Sequence, residues 1–94
     1  MDYLARFGSK LHKDSSELLK KSRHISALCK EHSILTQNTP VSIAAASIYM
    51  ATTLLDMESL IPRADIAKVA KTSQVTIGKC YKELLKHPKI FESG

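Results

Sequence analysis

Residues 41–55 are apolar on every side that a helix can present. Val41, Ile43, Ala44, Ala45, Ala46, Ile48, Tyr49, Met50, Ala51, Leu54 and Leu55 leave almost no polar face. A helix that is apolar all round is buried all round. Residues 40–55 therefore predict a central helix with other helices packed about it. Pro40 suits a first helical position, and 37–39 read as the short loop before it. Ser42, Ser47, Thr52 and Thr53 interrupt the run, which is also shorter than the ~20 apolar residues of a membrane span. The alanines allow close approach of neighbouring backbones. Tyr49 and Met50 read as core residues rather than cofactor contacts.

A buried centre needs a helical shell, and the flanks supply one. Tyr3, Leu4, Phe7 and Leu11 recur at helical spacing and predict a first helix over about 2–12, weakened a little by Gly8. Asp14 with Glu17 three residues on forms a capping box for a second helix. Its stripe is Leu18, Leu19, Ile25, Leu28 and Cys29, and it is expected to run to about Ser33. No run alternates with period two, so strands are not expected. At 94 residues, 44% apolar and 24% charged, the chain reads as a single globular domain over 1–94, too apolar for a disordered tail.

Two further helices follow. Pro62 favours a start near Arg63, with Ile66, Val69 and Ala70 as the apolar face. Thr72-Ser73 is the break, and the Ser73 hydroxyl is placed to cap the next helix by accepting from the Thr76 N–H. Ile77, Cys80, Tyr81, Leu84 and Leu85 then follow the i, i+3, i+4, i+7, i+8 pattern of a buried stripe. The helix is expected to end before Pro88. Residues 63–86 thus form a helix-turn-helix pattern.

The outer face of the last helix carries Gln74, Val75, Gly78, Lys79 and Lys82. From Pro62 onward there are seven basic residues against three acidic, a net +4, while the first 61 residues carry +1 of the total +5. A concentrated positive face fits a polyanion, and equally a solvated surface that keeps the chain soluble. In the DNA reading, the first outward residues of the second helix meet base edges in the major groove. Gln74 suits adenine and Val75 a thymine methyl. Lys79, Lys82 and Lys86 suit phosphates, which position a protein without reading sequence.

Other chemistries find little support. Two cysteines, Cys29 and Cys80, are too few for a disulfide scaffold and favour a reducing compartment. Asp2 and Arg6 break any early apolar run, so no signal peptide is expected. His24, Cys29 and His32 lie on neighbouring turns, but a metal site needs three or four converging ligands. They read as a buried cysteine with surface histidines. No nucleophile motif, phosphate loop or metalloprotease motif is present, and Asp56 and Glu58 make no case for an acid–base pair. No enzyme activity, cofactor or metal is expected.

Three blocks of sequence carry a family resemblance. Asp2-Tyr3-x-x-Arg6-Phe7 resembles the start of the first helix in the second cyclin-like repeat of transcription factor IIB. Thr39-Pro40-Val41-Ser42-Ile43-Ala44-Ala45-Ala46-Ser47-Ile48-Tyr49-Met50-Ala51 resembles the central helix of that repeat. Asp65-Ile66-Ala67-x-Val69-Ala70 and Gln74-Val75-Thr76-Ile77 with Tyr81-Lys82 resemble its two C-terminal helices. The resemblance covers 2–92, and its order and spacing are more specific than any single block.

The resemblance implies an all-α, five-helix cyclin-like fold. It also implies a place on promoter DNA beside the TATA-binding protein, in the nucleus, with RNA polymerase II reached through the full-length factor. The zinc ribbon, the polymerase-reaching segment and the first repeat of that family lie outside these 94 residues, so the chain is expected to be a monomeric fragment of a larger factor. Val75 and Thr76 match positions that meet DNA in the family, Lys82 a basic position, and Thr39 a small residue near the phosphates. Gly78 stands where an arginine reads guanine in some members, and Lys71 where a turn glycine is usual. An arginine–guanine contact contributes ~1–3 kcal/mol of discrimination, which Gly78 cannot supply. Binding chiefly through the DNA backbone is therefore the expectation. The candidate DNA-binding residues are Thr39, Arg63, Gln74, Val75, Thr76, Gly78, Lys79, Lys82 and Lys86. The alternatives are a cyclin-type protein-docking module and a plain DNA-binding helix-turn-helix; the related factor of RNA polymerase III is a further relative of the first reading.

Overall fold

The computed structural model describes residues 4, 6, 7, 16–35 and 38–92. Among the described residues five helices with defined bounds run in order: α1 Ser16–Glu31, α2 Pro40–Leu54, α3 Arg63–Ala70, α4 Gln74–Leu85 and α5 Pro88–Glu92. Leu4, Arg6 and Phe7 are also helical, with Leu4 and Phe7 buried. They fall within the helix expected over 2–12. Tyr3, Gly8, Leu11, the Asp14 cap and Gln37 lie outside the described residues. No strand occurs among the described residues, as the all-α reading requires.

The central helix is α2. It packs against α1, α3 and α4, and its interior is made of small residues: Ala45, Ala46, Ser47 and Ala51 are fully buried. Three of its hydroxyls do not disturb this packing, because they turn back onto their own helix. Ser47 Oγ donates to the Ile43 carbonyl at 2.8 Å, Thr52 Oγ1 to Tyr49 at 2.6 Å, and Thr53 Oγ1 to Tyr49 at 3.0 Å. In α1, buried Ser22 donates to the Leu18 carbonyl at 2.7 Å. A hydroxyl bonded in this way is buried without an unmet donor. The small side chains let Leu18, Ile25, Ile48, Ile66, Ile77 and Leu84 close over the helix as a single core.

Three helices end through the same backbone device, without glycine. After α1, Ser33 is left-handed (φ 55°) and the Ile34 N–H donates to the Cys29 carbonyl at 2.8 Å. After α2, Asp56 is left-handed (φ 59°) and Met57 N–H reaches Thr52 at 2.8 Å. After α3, Lys71 is left-handed (φ 57°) and Thr72 N–H reaches Ala67 at 3.0 Å. These six-to-one bonds are Schellman closures, which satisfy carbonyls left open by the helix end.

Three expectations change, and one segment without an expectation takes shape. The central helix is not buried on every side, since Leu54 at its C-terminal end is 43% exposed. α1 stops at Glu31 rather than near Ser33, because Ser33 turns left-handed. Leu85 is not buried: it is 52% exposed, since α4 ends there and Leu84 fills the last core position. The segment after His87 forms the short helix α5, which seats Phe91 in the core against α1 and α4.

Candidate nucleic-acid interface

Helices α3 and α4 form the expected helix-turn-helix. Pro62 is extended and starts α3 without a side-chain cap. Lys71 takes the left-handed conformation that turns the chain, and Thr72 and Ser73 complete the break. Ser73 caps α4: its Oγ accepts from the Thr76 N–H at 3.0 Å and lies 2.8 Å from Thr76 Oγ1. The inner faces are Ile66, Ala67 and Ala70 on α3 and Ile77, Cys80 and Leu84 on α4. The opposite face of α4 leaves Gln74, Val75, Lys79 and Lys82 exposed. Val75 is 66% exposed, a branched apolar side chain that stabilises nothing in the core.

Arg63 belongs to this surface by an indirect route. Its guanidinium carbon lies 5.9 Å from the centroid of the Tyr49 ring on α2, within the range of a cation–π contact. Tyr49 in turn meets Tyr81 of α4 edge to face, centroids 4.8 Å apart at 67°. The guanidinium lies over Gly78, where a Cβ would stand 3.2 Å from Arg63 Nη1. Tyr49 and Tyr81 are half-buried rather than enclosed, so both rings serve the core and the surface.

The other candidate residues are spread along the same side and beyond it. Thr39 caps α2, accepting from Ser42 N–H at 3.2 Å and donating to Ser42 Oγ at 3.0 Å. It lines a cleft of about 500 Å³ with Arg6, Ser42, Lys71 and Thr72, so the structure brings it beside the turn of the helix-turn-helix. The sequence reading missed Lys71 as part of this cleft. Thr76 is half-buried and occupied by the Ser73 cap. Lys86 stands at the far end of α4, about 18 Å of helix rise from Gln74, where its Nζ pairs with Glu83 at 3.1 Å. Exposed pairs of this kind contribute ~0–1 kcal/mol, so Lys86 remains exchangeable but is not part of the N-terminal cluster.

A second cleft of about 530 Å³ holds His32, Asn38, Lys79, Cys80, Glu83 and His87. There the Cys80 thiol donates to Asn38 Oδ1 at 3.6 Å. Among the described residues no group of three potential ligands is placed to hold a metal ion. Cys29 and Cys80 are both buried free thiols. Burial, followed by the neighbouring Cys80, pushes the Cys29 thiol up to about 11, and burial raises Cys80 as well. These are inert core thiols, not nucleophiles. His24 and His32 are exposed. Among the described residues no helix is long and apolar enough to cross a membrane.

Comparison with known proteins decides the family. The profile of the transcription factor TFIIB repeat matches residues 1–87. The chain belongs to the TFIIB repeat family. Its relatives include transcription initiation factor IIB of Dictyostelium discoideum, 35% identical over 83 residues that cover 88% of this chain and 25% of the relative. Plant-specific TFIIB-related protein 1 of Arabidopsis thaliana is 36% identical over 77 residues, 82% of this chain and 14% of the relative. Transcription initiation factor IIB of Methanocaldococcus jannaschii is 34% identical over 87 residues, 93% and 12%. This TFIIB repeat thus spans a quarter or less of the length of these three relatives. No solved structure matches it. TFIIB family proteins are transcription factors rather than enzymes, and the all-helical architecture of the chain is compatible with a cyclin-like TFIIB repeat.

Proposed function

We propose that this TFIIB repeat is the second, C-terminal repeat of a general transcription initiation factor and binds promoter DNA beside the TATA-binding protein. The contacts are made chiefly to the DNA backbone by the helix-turn-helix α3–α4. One observation carries the reading: α4 seals the core with one face and leaves Gln74, Val75, Lys79 and Lys82 together on the other. A capped helix whose first outward residues are a glutamine and an uncovered valine, followed by lysines, has the chemistry of a major-groove helix. The cleft beside Thr39 and Lys71 adds hydroxyl and ammonium donors for a flanking phosphate. In a nucleated cell the domain acts in the nucleus, as a monomeric part of a longer factor that reaches the polymerase through its other segments.

A gel shift on TATA duplex, with and without TATA-binding protein and over a salt series, tests this reading. Backbone-dominated binding weakens steeply with salt. Charge reversal at Lys79 and Lys82 is expected to abolish the shifted complex. Complex formation untouched by that reversal would instead favour a cyclin-type docking module. Equal binding without TATA-binding protein would favour a plain helix-turn-helix.

A further inference from the structure

The chain has three prolines, and only Pro40 follows a hydroxyl residue, Thr39. Thr39 is exposed. Its backbone is extended (φ −69°, ψ 154°), and the peptide bond to Pro40 is trans. Proline has a fixed φ and no N–H. A hydroxyl residue held extended before a trans proline is the dipeptide that proline-directed protein kinases accept. The Thr39 hydroxyl bonds within its own cap, accepting from the Ser42 N–H at 3.2 Å and donating to Ser42 Oγ at 3.0 Å.

The surroundings suit a phosphate on that hydroxyl. Thr39 opens on the cleft of about 500 Å³ that it shares with Arg6, Ser42, Lys71 and Thr72. Arg6 and Lys71 are exposed cations, and no carboxylate is among the described residues that line the cleft. Phosphorylation adds about −1.5 to −2 charge and three strong acceptor oxygens. The Ser42 N–H keeps an acceptor, and Ser42 Oγ turns from acceptor to donor. At the start of the 15-residue α2 the added charge also meets the helix dipole with favourable sign. The modified domain therefore stays folded. Its DNA binding does not survive as well, because the cleft is where a flanking DNA phosphate is proposed to sit. A covalent phosphate takes those donors and repels the incoming one.

We propose that Thr39 is a phosphorylation site for a proline-directed serine/threonine kinase, and that phosphate on it releases the domain from DNA. The release rests on the DNA-binding reading above; the modification rests on Thr39 and Pro40. In the transfer, Thr39 Oγ1 forms a bond to the γ-phosphorus of ATP. The bond from that phosphorus to the β–γ bridging oxygen breaks, and ADP leaves. The hydroxyl proton passes to the catalytic carboxylate of the kinase.

The test treats the folded chain with ATP and a purified proline-directed kinase, then maps phosphate by peptide mass spectrometry. One phosphate is expected, on Thr39, and Pro40→Ala should remove it. The phosphorylated chain should melt no lower than the parent. Its affinity for TATA duplex with TATA-binding protein should fall about tenfold or more. Thr39→Asn keeps a neutral cap without a hydroxyl, so its affinity should be the same before and after kinase treatment. A folded chain that takes no phosphate at Thr39, or takes it only when denatured, overturns the inference alone. A phosphorylated chain that binds DNA as tightly as the parent overturns the release. A parent chain with no salt-sensitive DNA binding overturns the DNA-binding reading and the release with it, while phosphate mapped to Thr39 would still establish the modification.

Discussion

Tyr49 and Tyr81 meet edge to face, with ring centroids 4.8 Å apart, and this contact ties the central helix to the outer part of α4. Aromatic pairs in this geometry contribute ~0.5–1.5 kcal/mol beyond the area they bury. A double-mutant cycle with Tyr49→Leu and Tyr81→Leu is expected to return a coupling energy in that range from urea denaturation. Tyr49→Phe keeps the ring and is expected to be nearly neutral. A coupling indistinguishable from zero would mean that the rings pack independently.

Lys71 sits in a conformation that disfavours it. A left-handed residue with a Cβ is strained by ~1–2 kcal/mol, while glycine loses ~0.5–1 kcal/mol through its freer unfolded chain. The first effect is the larger, so Lys71→Gly should raise stability by about 0.5–1 kcal/mol. Asp56→Gly should gain less, because aspartate tolerates the left-handed region better than lysine. Unfolding midpoints give the order directly; the reverse order would contradict this account. Lys71→Gly also removes a cation beside Thr39, so DNA affinity should fall while stability rises.

The Ser73 side chain closes the start of α4 by accepting from the Thr76 N–H. Ser73→Ala should lower stability by about 1 kcal/mol, and Ser73→Asp should largely restore it, since aspartate is as good a cap. If the alanine variant melts with the parent, water has replaced the hydroxyl at no loss.

The two cysteines predict a pH dependence. Cys29 is held neutral to about 11 against an ordinary 9.0, first by burial and then by Cys80. Its folded value is raised, so its contribution is fully present below pH 9 and is lost as pH rises through 9 towards 11, where only the unfolded chain ionises readily. Cys80 is raised in the same direction by burial. Iodoacetamide at pH 8 should therefore leave both thiols unmodified in the folded chain and label both in denaturant. Rapid labelling of the native chain would show that the core opens locally.

Much of this architecture was legible in the sequence, and the exceptions share a cause. The run at 41–55 announced the central helix, but not its burial on every side, because Leu54 at its end is 43% exposed; Ser73 announced its cap by position. Leu85 misled because periodicity describes a helix face without saying where the core beneath it stops. The helix at Pro88–Glu92 had a signal in Pro88 and in the apolar pair Ile90 and Phe91, but five residues are too few to show a period. Lys71 was legible as a departure from a glycine, while its left-handed backbone was not. Arg63 was legible as the start of a helix and a basic DNA-binding candidate, but not as a neighbour of Gly78. Its place over Gly78 depends on a tyrosine fourteen positions earlier and on the crossing of three helices, which no local pattern encodes.

Helix α4 shares its buried side with the whole molecule. Ile77 and Leu84, on the inner face of α4, are fully enclosed in the same core as Ile48 and Ile25. Separating α4 from α2 therefore exposes the interior of the domain, so the outer face of α4 has no independent route to opening. Amide hydrogen exchange at these two positions should then proceed only through global unfolding. The orientation of the outer face of α4 lasts as long as the native state itself.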